Sequence, residues 1–218
     1  MADSPKIKFS RRGFLKGAGV TAATTVIETA NALAHDAKDA LHGDRVLGPE
    51  ALPVKLHING RVHSVVIEPR DTLAATLRDD LGLTGTKIVC DRGSCSACTV
   101  WIDKTPALAC MTLSIDTIGR EVTTIEGLSH GDTMHPVQAA FVKHDAMQCG
   151  FCTPGMVMSC AALLERNPNP NLSEVKHAVS GNLCRCGAYP KIFAATLDVA
   201  AQHRMAAGLV TLDMGTEA

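Results

Sequence analysis

Cys90-Asp91-Arg92-Gly93-Ser94-Cys95-Ser96-Ala97-Cys98 is the stretch from which the fold can be inferred, and a fourth cysteine, Cys110, follows it. The pattern C-x4-C-x2-C with a more distant fourth cysteine is the plant-type spacing for a [2Fe–2S] cluster. Such a cluster needs a loop of small residues, because backbone N–H groups must point at the sulfur atoms. Small residues fill the loop at Gly93, Ser94, Ser96 and Ala97.

The spacing also separates this cluster from other metal sites. Structural zinc sites usually show two paired C-x2-C knuckles, so a C-x4-C-x2-C run is unusual for zinc. Covalent haem attachment requires C-x-x-C-H, and here Thr99 follows Cys98. The spacing therefore favours an iron–sulfur cluster over zinc.

A second group of cysteines lies further along the chain. Cys149-Gly150-Phe151-Cys152 precedes Thr153-Pro154, which predicts a helix with Thr153 as N-cap and Pro154 as first helical residue. Cys184-Arg185-Cys186 also leads into a predicted helix. The positive end of a helix favours thiolates and an anionic cluster. From this spacing alone, a zinc tetrathiolate and redox disulfides remain open. Cys160, the ninth cysteine, is predicted to be a core thiol.

The N-terminus predicts export. Ser10-Arg11-Arg12-Gly13-Phe14-Leu15-Lys16 is a twin-arginine signature, a mildly apolar stretch covers residues 17–27, and Ala32-Leu33-Ala34 predicts cleavage. Only eleven residues separate Lys16 from Glu28, whereas a membrane span needs about 20. Residues 1–34 are therefore predicted to be a signal peptide for the twin-arginine export machinery, with a periplasmic destination. This route exports folded chains with their cofactors loaded, so it favours metal clusters over disulfides.

Composition narrows the possible partners. The 218 residues carry a formal net charge of −1 and no basic stripe, so no nucleic-acid partner is expected. Aromatic residues make up only 3% of the chain, so its cores must be built mainly from aliphatic side chains and methionine.

The remaining sequence predicts an α+β fold. Residues 35–52 are polar and are predicted to be a flexible arm. Residues 53–128 contain alternating strands, the hairpin signal Asn59-Gly60 and a short helix capped by Asp71 and ended by Gly82. Predicted strands cover residues 54–58, 62–67, 99–102 and 121–125. Residues 129–206 are predicted to be helical, at 136–143, 154–166, 173–179 and 190–205, and 207–218 to be a tail.

Between about residue 54 and residue 202, the sequence resembles the small iron–sulfur subunits of the molybdenum hydroxylases, the xanthine dehydrogenase and aldehyde oxidoreductase group. The motifs occur in order and together are highly specific. They are Gly85-Thr86-Lys87, the first cysteine loop, Thr124-Ile125-Glu126-Gly127-Leu128, His135-Pro136-Val137-Gln138, Gln148 to Gly155, and Gly181-Asn182-Leu183-Cys184-Arg185-Cys186-Gly187.

The resemblance implies an N-terminal β-grasp [2Fe–2S] ferredoxin-like domain, residues 53–128, followed by an all-α four-helix-bundle [2Fe–2S] domain, residues 129–206. It implies that the first cluster is held by Cys90, Cys95, Cys98 and Cys110. It implies that the second is held by Cys149, Cys152, Cys184 and Cys186. Gln148 and Cys186 are further implied to lie against the molybdopterin of a partner subunit.

The resemblance also implies a function in electron transfer, with no substrate site on this chain. Electrons would pass from a molybdopterin, expected to be the cytosine dinucleotide form, in a large subunit to an FAD-binding medium subunit or a haem-containing cytochrome c subunit. The expected reaction is aldehyde oxidation. An N-heterocycle hydroxylase subunit and a freestanding periplasmic ferredoxin-like shuttle are the alternatives. The sequence departs from the family pattern at Val89 and Ser96, where glycine is usual. Serine would be modestly strained at position 96 if the backbone there has positive φ.

Overall fold

The computed structural model describes residues 48–206, which all belong to one compact unit. The predicted signal peptide, most of the predicted arm and the predicted tail lie outside the described residues. None of the helices in the described part has both the length and the apolar character that a membrane crossing needs.

A five-stranded mixed sheet forms the first half, with strand order β2-β1-β5-β3-β4. The strands are β1 (Leu52–Ile58), β2 (Arg61–Ile67), β3 (Thr99–Ile102), β4 (Thr105–Leu108) and β5 (Glu121–Thr123). β1 pairs antiparallel with β2 across the predicted Asn59-Gly60 turn and parallel with β5. Both turn residues have positive φ, which asparagine and glycine tolerate. The hairpin prediction is therefore confirmed, whereas β4 was not predicted.

The helix packed under the sheet differs from its prediction. α1 (Leu73–Ala75) continues as a π-helical turn, Thr76–Asp80, which precedes Gly82 at φ 68°. Its N-cap is Thr72, whose hydroxyl accepts a hydrogen bond from the Ala75 N–H at 3.3 Å. The predicted Asp71 cap is wrong, because the Asp71 carboxylate accepts from the Glu68 N–H and closes the preceding turn instead.

Four helices make up the second half: α2 (Pro136–Lys143), α3 (Thr153–Arg166), α4 (Leu172–Ala178) and α5 (Tyr189–Ala206). All four were predicted to within one residue at each end. The predicted cap of α3 is wrong: Cys152 occupies the N-cap position and Thr153 is the first helical residue. The α+β class predicted from the sequence is confirmed.

Each half has its own hydrophobic core. One core lies between the sheet and α1 and includes Leu56, Leu73 and Val122. The other lies among the four helices and includes Phe141, Met156 and the thiol-bearing Cys160, which is fully buried as predicted. Trp101 on β3 joins the helical core, and its indole N–H donates to the Met158 carbonyl at 3.0 Å. This contact fixes α3 against the sheet.

Candidate metal centres

The first cysteine loop is shaped by residues in the left-handed backbone region. Asp91, Gly93 and Ser96 have φ values of 51°, 73° and 54°. Alternation of left-handed residues turns successive N–H groups toward one side of a loop, which creates a concavity for anions. The Ser94 N–H lies 3.3 Å from the Cys90 sulfur. Ser96 therefore has the positive φ at which a serine backbone was expected to be modestly strained.

The thiols of this group lie in two pairs. Cys90 contacts the thiol of Cys95, and Cys98 contacts that of Cys110. Hydrogen bonds from the Arg92 backbone and the Cys95 thiol, supported by the Ser94 and Cys95 backbones, lower the pKa of Cys90 to about 7. Burial, reinforced by the adjacent Cys110 and Cys95 thiols, raises the pKa of Cys98 to about 12. Cys98 and Cys110 are thus held in an apolar setting, while Cys90 is surrounded by donors.

The second group forms around the start of α3 and the loop before α5. Cys152 and Cys184 contact each other through their thiols, and Cys149 interacts electrostatically with Cys152. Burial, reinforced by Cys184 and Cys149, raises the pKa of Cys152 to about 12. Burial by itself would also raise the pKa of Cys184. The pKa is nevertheless lowered, because the Cys184 sulfur accepts hydrogen bonds from the Ala188 N–H, the Cys152 thiol and the N–H groups of Cys186 and Gly187.

Both cysteine groups border one cavity of about 530 Å³. Its lining includes Cys90 and Cys95 from the first group and Cys149, Cys152 and Cys184 from the second. Exposed apolar side chains at its rim are Val89, Phe151 and Leu183, and the basic side chains of Arg92 and Arg185 also line it. The structure therefore brings together two cysteine sets that are separated by about 40 residues in sequence.

The remaining predicted site residues lie at the surface. Gln148, Cys149 and Cys186 are exposed. Cys186 does not line the cavity between the two groups, although its backbone N–H reaches the Cys184 sulfur. Its side chain is accordingly available to an external partner, as is that of Gln148.

The donor set suits a [2Fe–2S] cluster. Each iron of such a cluster takes two protein ligands, and its sulfurs need N–H donors. In the described residues no three His, Cys, Asp or Glu side chains are grouped to hold a single metal ion. The thiols of the first group occur instead as pairs, and backbone N–H groups reach Cys90, Cys98 and Cys184. Burial disfavours the thiolate at Cys98 and Cys152, and the positive charge of a coordinated iron would offset this penalty and deprotonate the thiol.

Sequence reasoning missed the residues that join the two cysteine groups. The Leu183 N–H donates to the Cys95 carbonyl at 3.0 Å, and the buried Asn182 side chain donates to the Ser96 carbonyl at 3.1 Å. Gly155, near the start of α3, lies against the Ser96 backbone. Asn182 belongs to the motif that runs from Gly181 to Gly187, but no pattern in the sequence indicated that its side chain bonds to Ser96.

The chain matches three family profiles. One, described as a 2Fe-2S iron-sulfur cluster binding domain, covers residues 56–114. Another, described as a [2Fe-2S] binding domain, covers residues 124–197. The third, the twin-arginine translocation pathway signal sequence, covers residues 8–27 and confirms the predicted export signal.

Similar proteins span most of the chain. The aldehyde oxidoreductase iron-sulfur-binding subunit PaoA of Escherichia coli K12 is 39% identical over 211 residues, which is 90% of each chain. The nicotine 6-hydroxylase small subunit of Paenarthrobacter nicotinovorans is 45% identical over 70% of this chain and 92% of its own. A solved chain of quinoline 2-oxidoreductase from Pseudomonas putida 86 is 42% identical, with a TM-score of 0.68 over 73% of this chain and 99% of that one.

Proposed function

Because the chain belongs to the family of iron–sulfur subunits of molybdenum hydroxylases, the aldehyde oxidoreductase and xanthine dehydrogenase group, we propose that it carries electrons through two [2Fe–2S] clusters. The electrons come from a molybdopterin centre in a large subunit and leave to a further redox subunit. Its twin-arginine signal directs the chain to the periplasm.

One observation carries the proposal: cysteines from both groups border the same cavity. We assign Cys90, Cys95, Cys98 and Cys110 to one cluster and Cys149, Cys152, Cys184 and Cys186 to the other. Bound there, the clusters would supply one-electron redox chemistry.

The protein's own residues prepare these sites. Backbone N–H groups around Cys90 and Cys184 stabilise negative charge on sulfur, and burial around Cys98 and Cys152 excludes water. Hydrogen bonds to the sulfurs and solvent exposure are among the properties that set cluster potentials. The two sites have different surroundings, so two different potentials are expected.

The exposed side chains of Gln148 and Cys186 support an assignment to the partner's cofactor. We assign them to contact with the molybdopterin of the large subunit, in its cytosine dinucleotide form. The electron acceptor of the complex is an FAD-binding medium subunit or a cytochrome c subunit with haem. The β-grasp domain spans residues 53–128 and the four-helix-bundle domain residues 129–206, each with a separate hydrophobic core in support.

Aldehyde oxidation to a carboxylic acid is the proposed reaction of the complex. The support is the relative named an aldehyde oxidoreductase subunit, which aligns with 90% of this chain. Hydroxylation of an N-heterocycle is the second candidate, because a nicotine 6-hydroxylase subunit and a quinoline 2-oxidoreductase chain are also similar.

A freestanding electron shuttle fits the surface less well. Val89, Phe151 and Leu183 are each more than half exposed around the cavity of the two cysteine groups. Such an apolar rim is typical of a surface that a partner covers. Gel filtration distinguishes a freestanding shuttle from a subunit of a complex, since a shuttle elutes as a single chain and a subunit elutes with its partners.

The test is purification of the native complex through a tag on this subunit, followed by analysis for iron and molybdenum. An anaerobic sample then receives an aromatic aldehyde or an N-heterocycle, and bleaching of the iron–sulfur absorption is followed. We expect molybdenum to co-purify and the aldehyde to bleach the absorption. A chain without molybdenum and with no bleaching by either substrate class contradicts the proposal, whereas bleaching only by the heterocycle selects the second candidate.

A further inference from the structure

The segment before Cys184 is attached to the first cysteine loop. The Leu183 N–H donates to the Cys95 carbonyl at 3.0 Å, so one hydrogen bond connects the backbone of a first-group cysteine to the residue preceding a second-group cysteine. Leu183 itself has an exposed side chain. Its position is therefore fixed by its backbone and its neighbours rather than by burial of its own side chain.

Asn182 holds this segment in place. Its side chain is almost completely buried, at 3% exposure, and both ends of its amide are bonded. The Nδ2 group donates to the Ser96 carbonyl at 3.1 Å, and Oδ1 accepts from the Ser159 hydroxyl at 3.0 Å. A buried amide with satisfied donors and acceptors fixes local geometry strongly, because an alternative position would leave polar groups unpaired.

Tyr189 closes the same turn from the other side. Its hydroxyl donates to the Asn182 carbonyl at 2.9 Å and accepts from the Cys184 N–H at 2.9 Å. Asn182 is thus linked through its side chain to the first cysteine loop and through its backbone to Cys184.

Close backbone packing adds a further contact. A Cβ atom on Gly155 would lie 2.2 Å from the Ser96 carbonyl oxygen and 3.1 Å from the Ala97 Cα atom. α3, which starts directly after Cys152, therefore approaches the loop between Cys95 and Cys98 as closely as a backbone can. Three separate contacts join the two cysteine groups at this point.

We infer that Asn182 is a positioning residue for electron transfer, because it holds the Leu183 N–H on the Cys95 carbonyl and so fixes the path between the two cysteine groups. The inference rests on the proposed function. With clusters bound at both cysteine sets, one electron would pass from one cluster to the other, and no covalent bond would change. The rate of such a step falls steeply when a hydrogen-bonded contact opens into a gap.

A purely structural role for Asn182 predicts that its removal lowers stability or cluster loading, without a specific effect on the contact between the cysteine groups. Thr99 also donates to the Ser96 carbonyl, through its hydroxyl at 2.7 Å, so this carbonyl keeps a partner when Asn182 is removed. The fold and both clusters are therefore expected to persist in an Asn182→Ala variant, and only the contact between the cysteine groups should loosen.

The experiment uses the purified complex with Asn182→Ala, and with Ser159→Ala, which removes the hydrogen bond to Asn182 Oδ1 and changes no residue of either cysteine loop. The matched control is Asn169→Ala, which removes an exposed asparagine whose side-chain oxygen accepts from Arg204 and from neither cysteine loop. Iron content, magnetic interaction between the two reduced centres in EPR spectra, the rate at which the second centre is reduced after substrate addition, and hydrogen exchange at the Leu183 amide are measured.

We expect both variants to keep four irons per chain, an estimate of about two per cluster. In both, exchange at Leu183 should be severalfold faster, magnetic interaction weaker and inter-centre reduction severalfold slower than in the control. If both centres load and these readouts match the control, the inference is wrong. Should Asn182→Ala fail to load, the Ser159→Ala result decides alone. A wild-type complex that lacks two iron–sulfur signals overturns the proposed function, and the inference with it.

Discussion

At Gly155 the helix backbone touches the loop of the first cysteine group, and no side chain has room there. The neighbouring atom is a backbone carbonyl of Ser96, which cannot rotate away as a side chain could. On the other side of this contact, Ser96 adopts a φ of 54°, a conformation that serine tolerates poorly. Two residues that contact each other thus both favour glycine, position 155 for space and position 96 for backbone conformation.

Replacement of Gly155 by alanine should destabilise the loaded protein by about 1–3 kcal/mol or more, because the new Cβ overpacks against backbone. Thermal unfolding followed by loss of the iron–sulfur absorption measures the effect. Gly48→Ala is the control, since Gly48 has nothing within 4 Å of a new Cβ atom. Equal melting temperatures for the two variants would show that the contact is looser than the structure indicates.

Ser96→Gly should act in the opposite direction. Relief of strain in the left-handed backbone should raise the free energy of unfolding by about 1–2 kcal/mol. The greater freedom of glycine in the unfolded chain should lower it by about 0.5–1 kcal/mol. A melting temperature a few degrees above that of the wild type is the expected result, measured as for Gly155→Ala. A lower melting temperature would mean that the Ser96 side chain contributes contacts that outweigh the strain.

Among the elements, α2 shows how a cap can depend on pH. The His135 Nδ1 atom accepts a hydrogen bond from the Val137 N–H at 3.2 Å, and the Gln138 side chain accepts from the His135 N–H at 2.9 Å. Burial disfavours the charged ring and lowers the pKa of His135. Nδ1 can accept only while the ring is neutral, so protonation removes the cap.

The stability of the protein should therefore depend on pH through the His135 cap of α2. The folded pKa of His135 lies below its unfolded value of about 6.5, so the stabilisation is complete above about pH 6.5 and is lost as pH falls through the folded pKa. The melting temperature should drop between pH 7 and pH 5. His135→Asn replaces the cap with one that does not titrate. If the variant shows the same decline as the wild type, other groups cause it.

The elements also show what the sequence could predict. Helices α2 to α5 follow from local signals, which are apolar spacing and, for α2, α3 and α5, a proline at the first or second position. β4 was missed because its four residues show little alternation and are held by pairing with β3. The cap at Asn171, whose side chain accepts from the Glu174 N–H, has a local signal in the N-x-x-E pattern. The use of Asp71 to close a turn has no such signal.

At the scale of the whole molecule, spacing divided eight of the nine cysteines into two groups of four. It could not predict that both groups border one cavity, because this depends on α3 packing against β3 through Trp101. The contacts of Asn182 with Ser96 and Ser159 were equally inaccessible, since they join positions 86 and 23 residues apart. Long-range packing sets these features, and local pattern does not encode them.

Export is a property of the whole assembled molecule. Replacement of both Arg11 and Arg12 by lysine should keep this chain, and any large subunit bound to it, out of the periplasm. Fractionation followed by immunodetection of both subunits measures this. A large subunit that still reaches the periplasm with the double variant would show that it is exported independently.

The two cysteine groups are proposed to hold two separate [2Fe–2S] clusters. Iron and acid-labile sulfide analysis together with EPR of the dithionite-reduced chain tests this directly, for the wild type, Cys98→Ser and Cys152→Ser. We expect two distinct signals in the wild type, with Cys98→Ser losing one and Cys152→Ser losing the other. A single signal in the wild type, or zinc in the second group, would contradict this proposal.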